Sequence, residues 1–128
     1  MKVLITGGTG FIGKVLCQSL LLKQHQLTVL SRRPERVPEL CGIPVHAIRE
    51  INSIPENEHY DAIINLAGEG IADARWTVKR KQNLHDSRIN TTHQLIDYMN
   101  KTKYKPKLFI SGSAIGFYGH QGSTILTE

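Results

Sequence analysis

Three glycines near the start of the chain have the spacing of a phosphate-binding turn. Lys2–Thr6 is a β-branched, apolar run typical of a buried parallel strand, and a helical periodicity begins at Phe11. Between the two, Gly7, Gly10 and Gly13 recur at GxxGxxG spacing. Glycine allows a tight turn off the strand, a close approach of the backbone to a pyrophosphate, and close packing of helix on strand. Because a helix start also favours negative charge, the pattern predicts a dinucleotide site rather than a purely structural turn.

A second signal lies at the end of the second predicted strand, Gln26–Ser31. In a dinucleotide-binding fold this strand end meets the adenine ribose, where a carboxylate binds the 2′-hydroxyl of NAD and an arginine accommodates the 2′-phosphate of NADP. Residues 30–34 read LSRRP and contain no carboxylate. Ser31 offers a hydroxyl, and Arg32 offers a planar fork of donors that matches phosphate oxygens. Arg32 and Arg33 can also be read as plain surface charges, but their position favours NADP over NAD.

The fourth predicted strand, Asp61–Leu66, ends in small residues. Its carboxyl end is expected to border the cofactor, because this strand neighbours the first strand at the point where the strand order reverses. Close passage of the ribose and pyrophosphate is predicted along the residues Leu66, Ala67 and Gly68. Asn65 is also open to a simpler interpretation as a hydrogen-bonding residue at the strand end. For Glu69, a substrate contact, a loop-ordering contact and a solvated carboxylate all remain open.

Strands and helices alternate along the chain. Strands are predicted at Lys2–Thr6, Gln26–Ser31, Val45–Ile48, Asp61–Leu66 and Lys107–Ser111. Helices are predicted over Phe11–Lys23 and much of Thr77–Asn100, with short helical turns around Pro34–Leu40 and near Ile54–Glu58. The apolar stripe of the long helix is predicted at Val78, Leu84, Ile89, Leu95, Ile96 and Met99. Alternation with right-handed crossovers predicts one α/β domain over residues 1–128, a doubly wound parallel sheet in the order 3-2-1-4-5.

Composition excludes several classes of protein. The chain has 128 residues, of which 40% are hydrophobic and 21% charged, as in an ordinary α/β domain. No run approaches the roughly 20 apolar residues of a membrane span. With no signal peptide before the first strand, we expect a cytoplasmic location and no membrane partner. Cys17 and Cys41 lack CxxC spacing and are expected to be free thiols, and the six histidines lack metal-ligand spacing, so no metal site is predicted.

The net charge of +5 arises largely from two basic clusters. These are Arg32, Arg33 and Arg36 after the second strand, and Arg75, Lys79, Arg80 and Lys81 at the start of the long helix. The first cluster is explained by an anionic cofactor. The second is expected to be a solvated helix face, with an electropositive role toward an anion as the weaker alternative. No nucleic-acid partner is therefore expected.

Five segments together resemble a known protein family. They read GGTGFIG, VLSRRP, INLAGEGIADARW, SRINTTHQLI and FISGSAIGFYG. Over essentially its whole length the chain resembles the extended, epimerase-like branch of the short-chain dehydrogenase/reductases, whose fold is an NAD(P)-binding Rossmann domain followed by a smaller substrate domain. More narrowly, it is similar to the sugar-nucleotide-epimerase-like group known as epimerase family proteins. The pattern NLAGE-x-I-AD-x-RW followed by SR-x-x-x-T is diagnostic of that group.

The resemblance implies which residues bind the cofactor, NADP rather than NAD. They are Gly7, Thr9, Gly10, Phe11, Ile12, Gly13, Ser31, Arg32, Leu66, Ala67, Gly68 and Arg88. Relatives also place a catalytic serine or threonine after the fifth strand, where its hydroxyl bonds the reacting carbonyl or carbinol oxygen. Ser113 matches that position best, with Ser111 as the fallback. Tyr118 matches a structural tyrosine of relatives rather than the proton donor.

The chain departs from the family pattern in one respect. Extended relatives transfer a proton through the tyrosine of a YxxxK segment, and no YxxxK occurs in this sequence. By resemblance that segment, a sixth strand and the substrate domain would lie beyond Glu128, so the C-terminal part of the fold is expected to be missing. The strand-five edge would then be open to self-association.

Together these observations predict the NADP-binding portion of an epimerase-like oxidoreductase. It would exchange hydride between NADP and a carbonyl or hydroxyl substrate, such as a nucleotide sugar. The chain by itself is expected to be inactive. The alternative is a non-catalytic NADP-binding or redox-sensing module, which the missing tyrosine–lysine pair favours.

Overall fold

Five parallel strands form one sheet in the order β3-β2-β1-β4-β5 in the computed structural model of the chain, which describes residues 1–70, 75–113, 119–125 and 127. The strands are β1 (Lys2–Thr6), β2 (Gln26–Leu30), β3 (Val45–Ile48), β4 (Ala62–Asn65) and β5 (Leu108–Ser111). The predicted fold class and strand order are confirmed. Each strand bound lies within one residue of its predicted position.

Helices connect the strands in the alternating pattern that a parallel sheet requires. They are α1 (Phe11–Leu22) after β1, α2 (Val37–Cys41) after β2, and α3 (Val78–Lys101) after β4. Single 3₁₀ turns occupy Pro34–Arg36 and Ile51–Ser53. The short helical turn predicted near Ile54–Glu58 is found as one hydrogen-bonded turn, in which the Glu58 N–H donates to the Pro55 carbonyl at 2.9 Å. The turn begins only after Ile54, because Pro55 disfavours helical backbone at the residue before it. Ile54 is accordingly extended, with φ −76° and ψ 122°, and the 3₁₀ turn ends at Ser53.

An apolar cluster lies on each face of the sheet over β1 to β4, whereas β5 is exposed along its length. Successive side chains of β1 point to opposite faces, so Val3 and Ile5 pack with Cys17 of α1 while Leu4 packs with Leu95 of α3. β2 and β4 also contribute to the α1 side, and the loop from Ile51 to Tyr60 contributes to the α3 side. The sheet is thus fixed on both faces, and its carboxyl edge is the place where loops are free to form a site.

The buried face of α3 is narrower than the sequence predicts. It consists of Leu84, Leu95 and Tyr98, whereas Val78, Ile89 and Ile96 of the predicted stripe are exposed. At 3.6 residues per turn the three buried side chains point within about 60° of one another, and the three exposed ones point about 120–140° away from Leu84. Tyr98 is tolerated inside because its hydroxyl donates to the Glu58 carbonyl at 3.2 Å. Among the described helices, none is both long and apolar enough to cross a bilayer.

Candidate cofactor-binding site

The turn between β1 and α1 leaves no room for a side chain at two of its glycines. Gly7 has a φ of +70°, in the left-handed region, and a Cβ there would lie 2.3 Å from the Leu66 carbonyl oxygen. A Cβ on Gly13 would lie 2.3 Å from the Gly7 carbonyl oxygen. The Gly10 N–H donates to that same oxygen at 3.0 Å. The turn is therefore folded tightly against both α1 and the loop that follows β4.

The first turn of α1 fits an anion. Its N-cap is Gly10, which has no side chain to cap the helix, and the first helical turn contains no acidic residue. The Lys14 N–H donates to the Gly10 carbonyl at 3.0 Å and closes the first helical turn. The N–H groups before Lys14 have no helical acceptor, and together with the helix dipole they favour a phosphate. Beside them the side chains of Phe11 and Ile12 are exposed, and Thr9 is half-buried.

The loop after β2 presents Arg32 at the same edge of the sheet. The Ser31 N–H donates to the Ile48 carbonyl at 2.9 Å, which extends the pairing of β2 with β3 by one residue. The Ser31 hydroxyl accepts from the Arg33 N–H at 3.1 Å, closing a small turn with Arg32 at its tip. The Arg32 side chain is 88% exposed. Because Ser31 accepts in this turn, its hydroxyl proton remains available to a ligand.

Glu69 in the loop after β4 is a shielded bridging carboxylate. Its side chain is only 22% exposed, with Oε1 3.0 Å from Arg32 Nη1 and Oε2 2.5 Å from Arg80 Nη1. Its backbone N–H donates to Ser87 Oγ, and its carbonyl accepts from Arg88 Nη2, both at 3.1 Å. Of the interpretations open for Glu69, the loop-ordering contact is therefore the one observed.

Arg80 corrects the expectation that the basic cluster at the start of α3 is a solvated face. Its side chain is only 17% exposed, and besides Glu69 it donates to the Gly70 carbonyl. The buried Arg80 Nε has no hydrogen-bond partner within the described part of the chain. Its neighbours Arg75, Lys79 and Lys81 are exposed, as expected.

Arg88 and Gly68 are brought together from distant positions in the sequence. A Cβ on Gly68 would lie 3.0 Å from the Arg88 Cζ, so the guanidinium packs directly on the loop backbone. Arg88 Nη1 also donates to the Leu84 carbonyl at 3.0 Å. These contacts hold the loop after β4 against α3 at the carboxyl edge of the sheet.

A buried carboxamide ties the strand ends to one another. Asn65 Oδ1 accepts from Thr6 Oγ1 at 2.6 Å and from the Ala67 N–H at 3.3 Å. Its Nδ2 donates to Thr92 Oγ1 at 3.0 Å and to Ser111 Oγ at 3.2 Å. Asn65 and Thr92 begin and end the family pattern NLAGE-x-I-AD-x-RW and SR-x-x-x-T, but the sequence pattern predicted no hydrogen bond between them and did not single out Thr6. The network therefore fixes β1, β4 and β5 relative to α3 at the carboxyl edge of the sheet.

Ser113 lies two residues beyond β5, at the same carboxyl edge as the glycine turn, and is exposed. The Gly112 N–H donates to the Asn65 carbonyl at 2.8 Å, which continues the pairing of β4 with β5 up to this serine. The fallback residue, Ser111, has its hydroxyl engaged by Asn65. Tyr118 lies outside the described residues.

The two cysteines pack beneath the glycine turn as free, buried thiols. Burial, reinforced by the neighbouring Cys41, raises the pKa of Cys17 to about 12, and burial also raises the pKa of Cys41. Cys41 Sγ donates to the Gly8 carbonyl at 3.3 Å. A Cβ on Gly8 would lie 2.9 Å from Val29 Cγ1, so this residue too belongs to the turn's packing. The sequence could have indicated this role of Gly8 only through its position directly after Gly7.

A doubly wound parallel sheet with a tight glycine turn at its carboxyl edge defines a Rossmann-like NAD(P)-binding domain. The sequence profile of the NAD dependent epimerase/dehydratase family matches residues 3–128. The chain belongs to this family, and the resemblance seen in the sequence is confirmed.

Individual relatives agree with that assignment. Epimerase family protein YfhF of Bacillus subtilis is 39% identical over 130 residues, an alignment that covers 100% of this chain and 42% of the relative. The crystal structure of human epimerase family protein SDR39U1 (isoform 2) with NADPH has a TM-score of 0.76 and 33% identity, covering 92% of this chain and 38% of that one. UDP-glucuronic acid 4-epimerase from Bacillus cereus in complex with NAD has a TM-score of 0.69 and 25% identity, covering 95% and 42%. The chain thus spans about two fifths of the length of the relatives it matches.

Proposed function

We propose that the chain is the NADP-binding portion of an epimerase-like oxidoreductase. The observation that carries the choice of NADP is Arg32, whose exposed guanidinium stands at the end of β2, where NAD-selective sites carry a carboxylate. The human relative contains NADPH and the UDP-glucuronic acid 4-epimerase contains NAD, so both cofactors occur among the structural neighbours. The residue at this strand end supports NADP for this chain.

The pyrophosphate is proposed to lie at the start of α1. The glycine turn holds backbone close to that point, and no side chain or acidic residue blocks the helix start. The proposed contacts from the turn are Gly7, Thr9, Gly10, Phe11, Ile12 and Gly13. Ser31 and Arg32 are proposed to hold the 2′-phosphate of the adenine ribose. The loop after β4 and α3 complete the site through Leu66, Ala67, Gly68 and Arg88.

When bound, the nicotinamide would supply hydride exchange with a carbonyl or hydroxyl group. The proposed substrate class is a nucleotide sugar, because a UDP-sugar epimerase is among the structural neighbours. Ser113 is proposed to hold the reacting oxygen by a hydrogen bond from its hydroxyl, which is exposed at the carboxyl edge of the sheet.

Two neighbouring arginines provide a matched test of the cofactor. Arg32→Ala is expected to weaken NADP binding about tenfold or more, because hydrogen bonds to charged groups are each worth about 1.5–3 kcal/mol, and to leave NAD binding unchanged. Arg33→Ala removes the same charge from the adjacent exposed position. It is expected to have little effect on either cofactor. Isothermal titration calorimetry measures both affinities, and equal effects of the two substitutions would contradict the assignment.

The proposed chemistry is tested by NADPH oxidation with a panel of carbonyl compounds that includes keto forms of UDP-sugars. The assay is run on the 128-residue chain and on any longer natural polypeptide that contains it. Where turnover occurs, Ser113→Ala is expected to lower kcat while the Kd for NADP stays unchanged, and Ser123→Ala serves as the control. Tight NADP binding without turnover in the longest polypeptide would favour a non-catalytic NADP-binding module instead.

A further inference from the structure

We propose that Glu69 is a specificity-determining residue. Its carboxylate competes with the 2′-phosphate of NADP for the guanidinium of Arg32, and it thereby limits how strongly the site prefers NADP over NAD. This inference rests on the proposed binding of NADP and concerns the adenosine side of that same site.

The ion pair of Arg32 with Glu69 joins the loops that follow β2 and β4. Arg32 follows β2 and Glu69 follows β4, and these strands flank β1 on either side. Two strand spacings, about 10 Å, separate β2 from β4, and the two side chains meet at 3.0 Å between the loops that follow these strands. The contact therefore lies across the end of β1, from which the glycine turn emerges.

The two ends of the ion pair are held very differently. The Glu69 carboxylate is shielded and fixed by Arg80, and its backbone is bonded on both sides to Ser87 and Arg88 of α3. Arg32 is 88% exposed, and Glu69 accepts its one side-chain hydrogen bond among the described residues. Glu69 is thus the stationary partner, and Arg32 is the group that a ligand can redirect.

A phosphate arriving at Arg32 meets a guanidinium that is already engaged. The Arg32 Nη1 donor is bound to Glu69 Oε1, and the negative charge of that carboxylate repels the incoming phosphate. Both factors weaken the attraction of a dianion, whereas the 2′-hydroxyl of NAD carries no charge and is insensitive to them. Arg80 neutralises part of the Glu69 charge, so the site still attracts phosphate. The competition therefore moderates the preference for NADP without reversing it.

Glu69→Gln tests the competition because glutamine keeps the shape and loses the charge. Its single carbonyl oxygen can still accept from Arg80, while its amide NH2 is a donor and leaves Arg32 unengaged. Exposed ion pairs are weak, so removing this one is expected to tighten NADP binding by about two- to fivefold. The Kd for NAD should stay unchanged. In an Arg32→Ala background the gain should disappear, since the contested group is gone. Calorimetric titrations with NADP and NAD on all four proteins, at one salt concentration, provide these values.

Glu39→Gln is the matched control, because Glu39 pairs with Arg36 at 3.7 Å on the same basic surface and makes no contact with Arg32. It is expected to leave NADP affinity unchanged, which separates competition from net charge. Melting temperatures verify folding. Should Glu69→Gln unfold, Glu69→Asp replaces it, because the shorter side chain keeps a carboxylate beside Arg80 while withdrawing it from Arg32.

The outcomes separate this inference from the function on which it rests. Wild-type protein that prefers NADP, combined with Glu69→Gln that binds NADP equally or more weakly, overturns the role of Glu69 alone. An equal gain for NAD, or from Glu39→Gln, also overturns it. Wild-type protein without any preference for NADP overturns the proposed function, and this inference with it.

Discussion

Replacing Asn65 with alanine removes the carboxamide that joins β1, β4, β5 and α3. Four hydrogen bonds are lost, but only some of the partners are stranded. Thr92 keeps its bond to the Arg88 carbonyl at 2.8 Å, and Ser111 is exposed to water. The Thr6 hydroxyl is different, because it is 0% exposed and donates to Asn65 at 2.6 Å.

The cost of the substitution is therefore dominated by one buried hydroxyl. Leaving such a donor without an acceptor costs about 1–3 kcal/mol. The half-buried Ala67 N–H and the lost packing of the side chain add to this, so we expect Asn65→Ala to lower the free energy of unfolding by about 2–4 kcal/mol. Asn52→Ala, at an exposed position in the 3₁₀ turn, should change it by less than about 0.5 kcal/mol.

Urea unfolding followed by circular dichroism measures these values in a double-mutant cycle with Thr6→Val. Valine removes the hydroxyl that Asn65→Ala would strand, so the second substitution should cost less in the Thr6→Val background. We expect a coupling free energy of about 1–2 kcal/mol. Independent sites add within about 0.5 kcal/mol, and additivity to that level would refute the reasoning.

Three further predictions concern the turn, an ion pair and the sheet edge. Gly13→Ala should destabilise the fold by about 1–3 kcal/mol, since its Cβ would lie 2.3 Å from a backbone oxygen and this overlap outweighs a helix-propensity gain of about 1 kcal/mol. Ser19→Ala, at an exposed position of the same helix, should not destabilise it, and equal unfolding midpoints of the two variants would contradict the prediction. The hydrogen bond from Lys2 lowers the pKa of Glu58 below 4.5, so the ion pair stabilises the fold above that value and is lost as pH falls through the lowered pKa. The greater unfolding free energy of wild type over Glu58→Gln should thus be present at about pH 6 and absent at about pH 2, and a pH-independent difference would contradict this prediction. Finally, β5 pairs with β4, has no second strand neighbour in the described ranges, and exposes Ile110, so the 128-residue chain should self-associate in light scattering. Ile110→Lys should reduce that association and Leu22→Lys should not; a monomeric wild type would contradict the prediction.

The fold was largely predictable because its signals are local. The apolar run of β1, the glycines after it and the helical periodicity from Phe11 are contiguous in the sequence, and chirality then orders the strands. The conformation around Ile54 was also a local matter, since Pro55 disfavours helical backbone at Ile54 and separates the 3₁₀ turn at Ile51–Ser53 from the turn that begins at Pro55. The buried face of α3 was harder to predict, because the sequence does not show which apolar residues of the helix pack against the sheet. Val78, for example, is apolar but exposed.

Only the part of the candidate site that is formed by backbone atoms could be predicted from the sequence. The turn at Gly7 requires glycine, and the spacing alone reveals this. Glu69 meets Arg32 and Arg80 across 37 and 11 positions, and no spacing rule predicts pairs that only the folded loop brings together. Arg80 was misread for the same reason, as one cation in a basic cluster. Asn65 begins the NLAGE pattern, but its hydrogen-bonding role emerges only from partners on other elements.

The dissociation constants of the wild-type protein for NADP and NAD, determined side by side at one salt concentration, test the central claim most directly. Arg32 at the end of β2 predicts that NADP binds more tightly. Equal affinities, or tighter binding of NAD, would contradict the assignment.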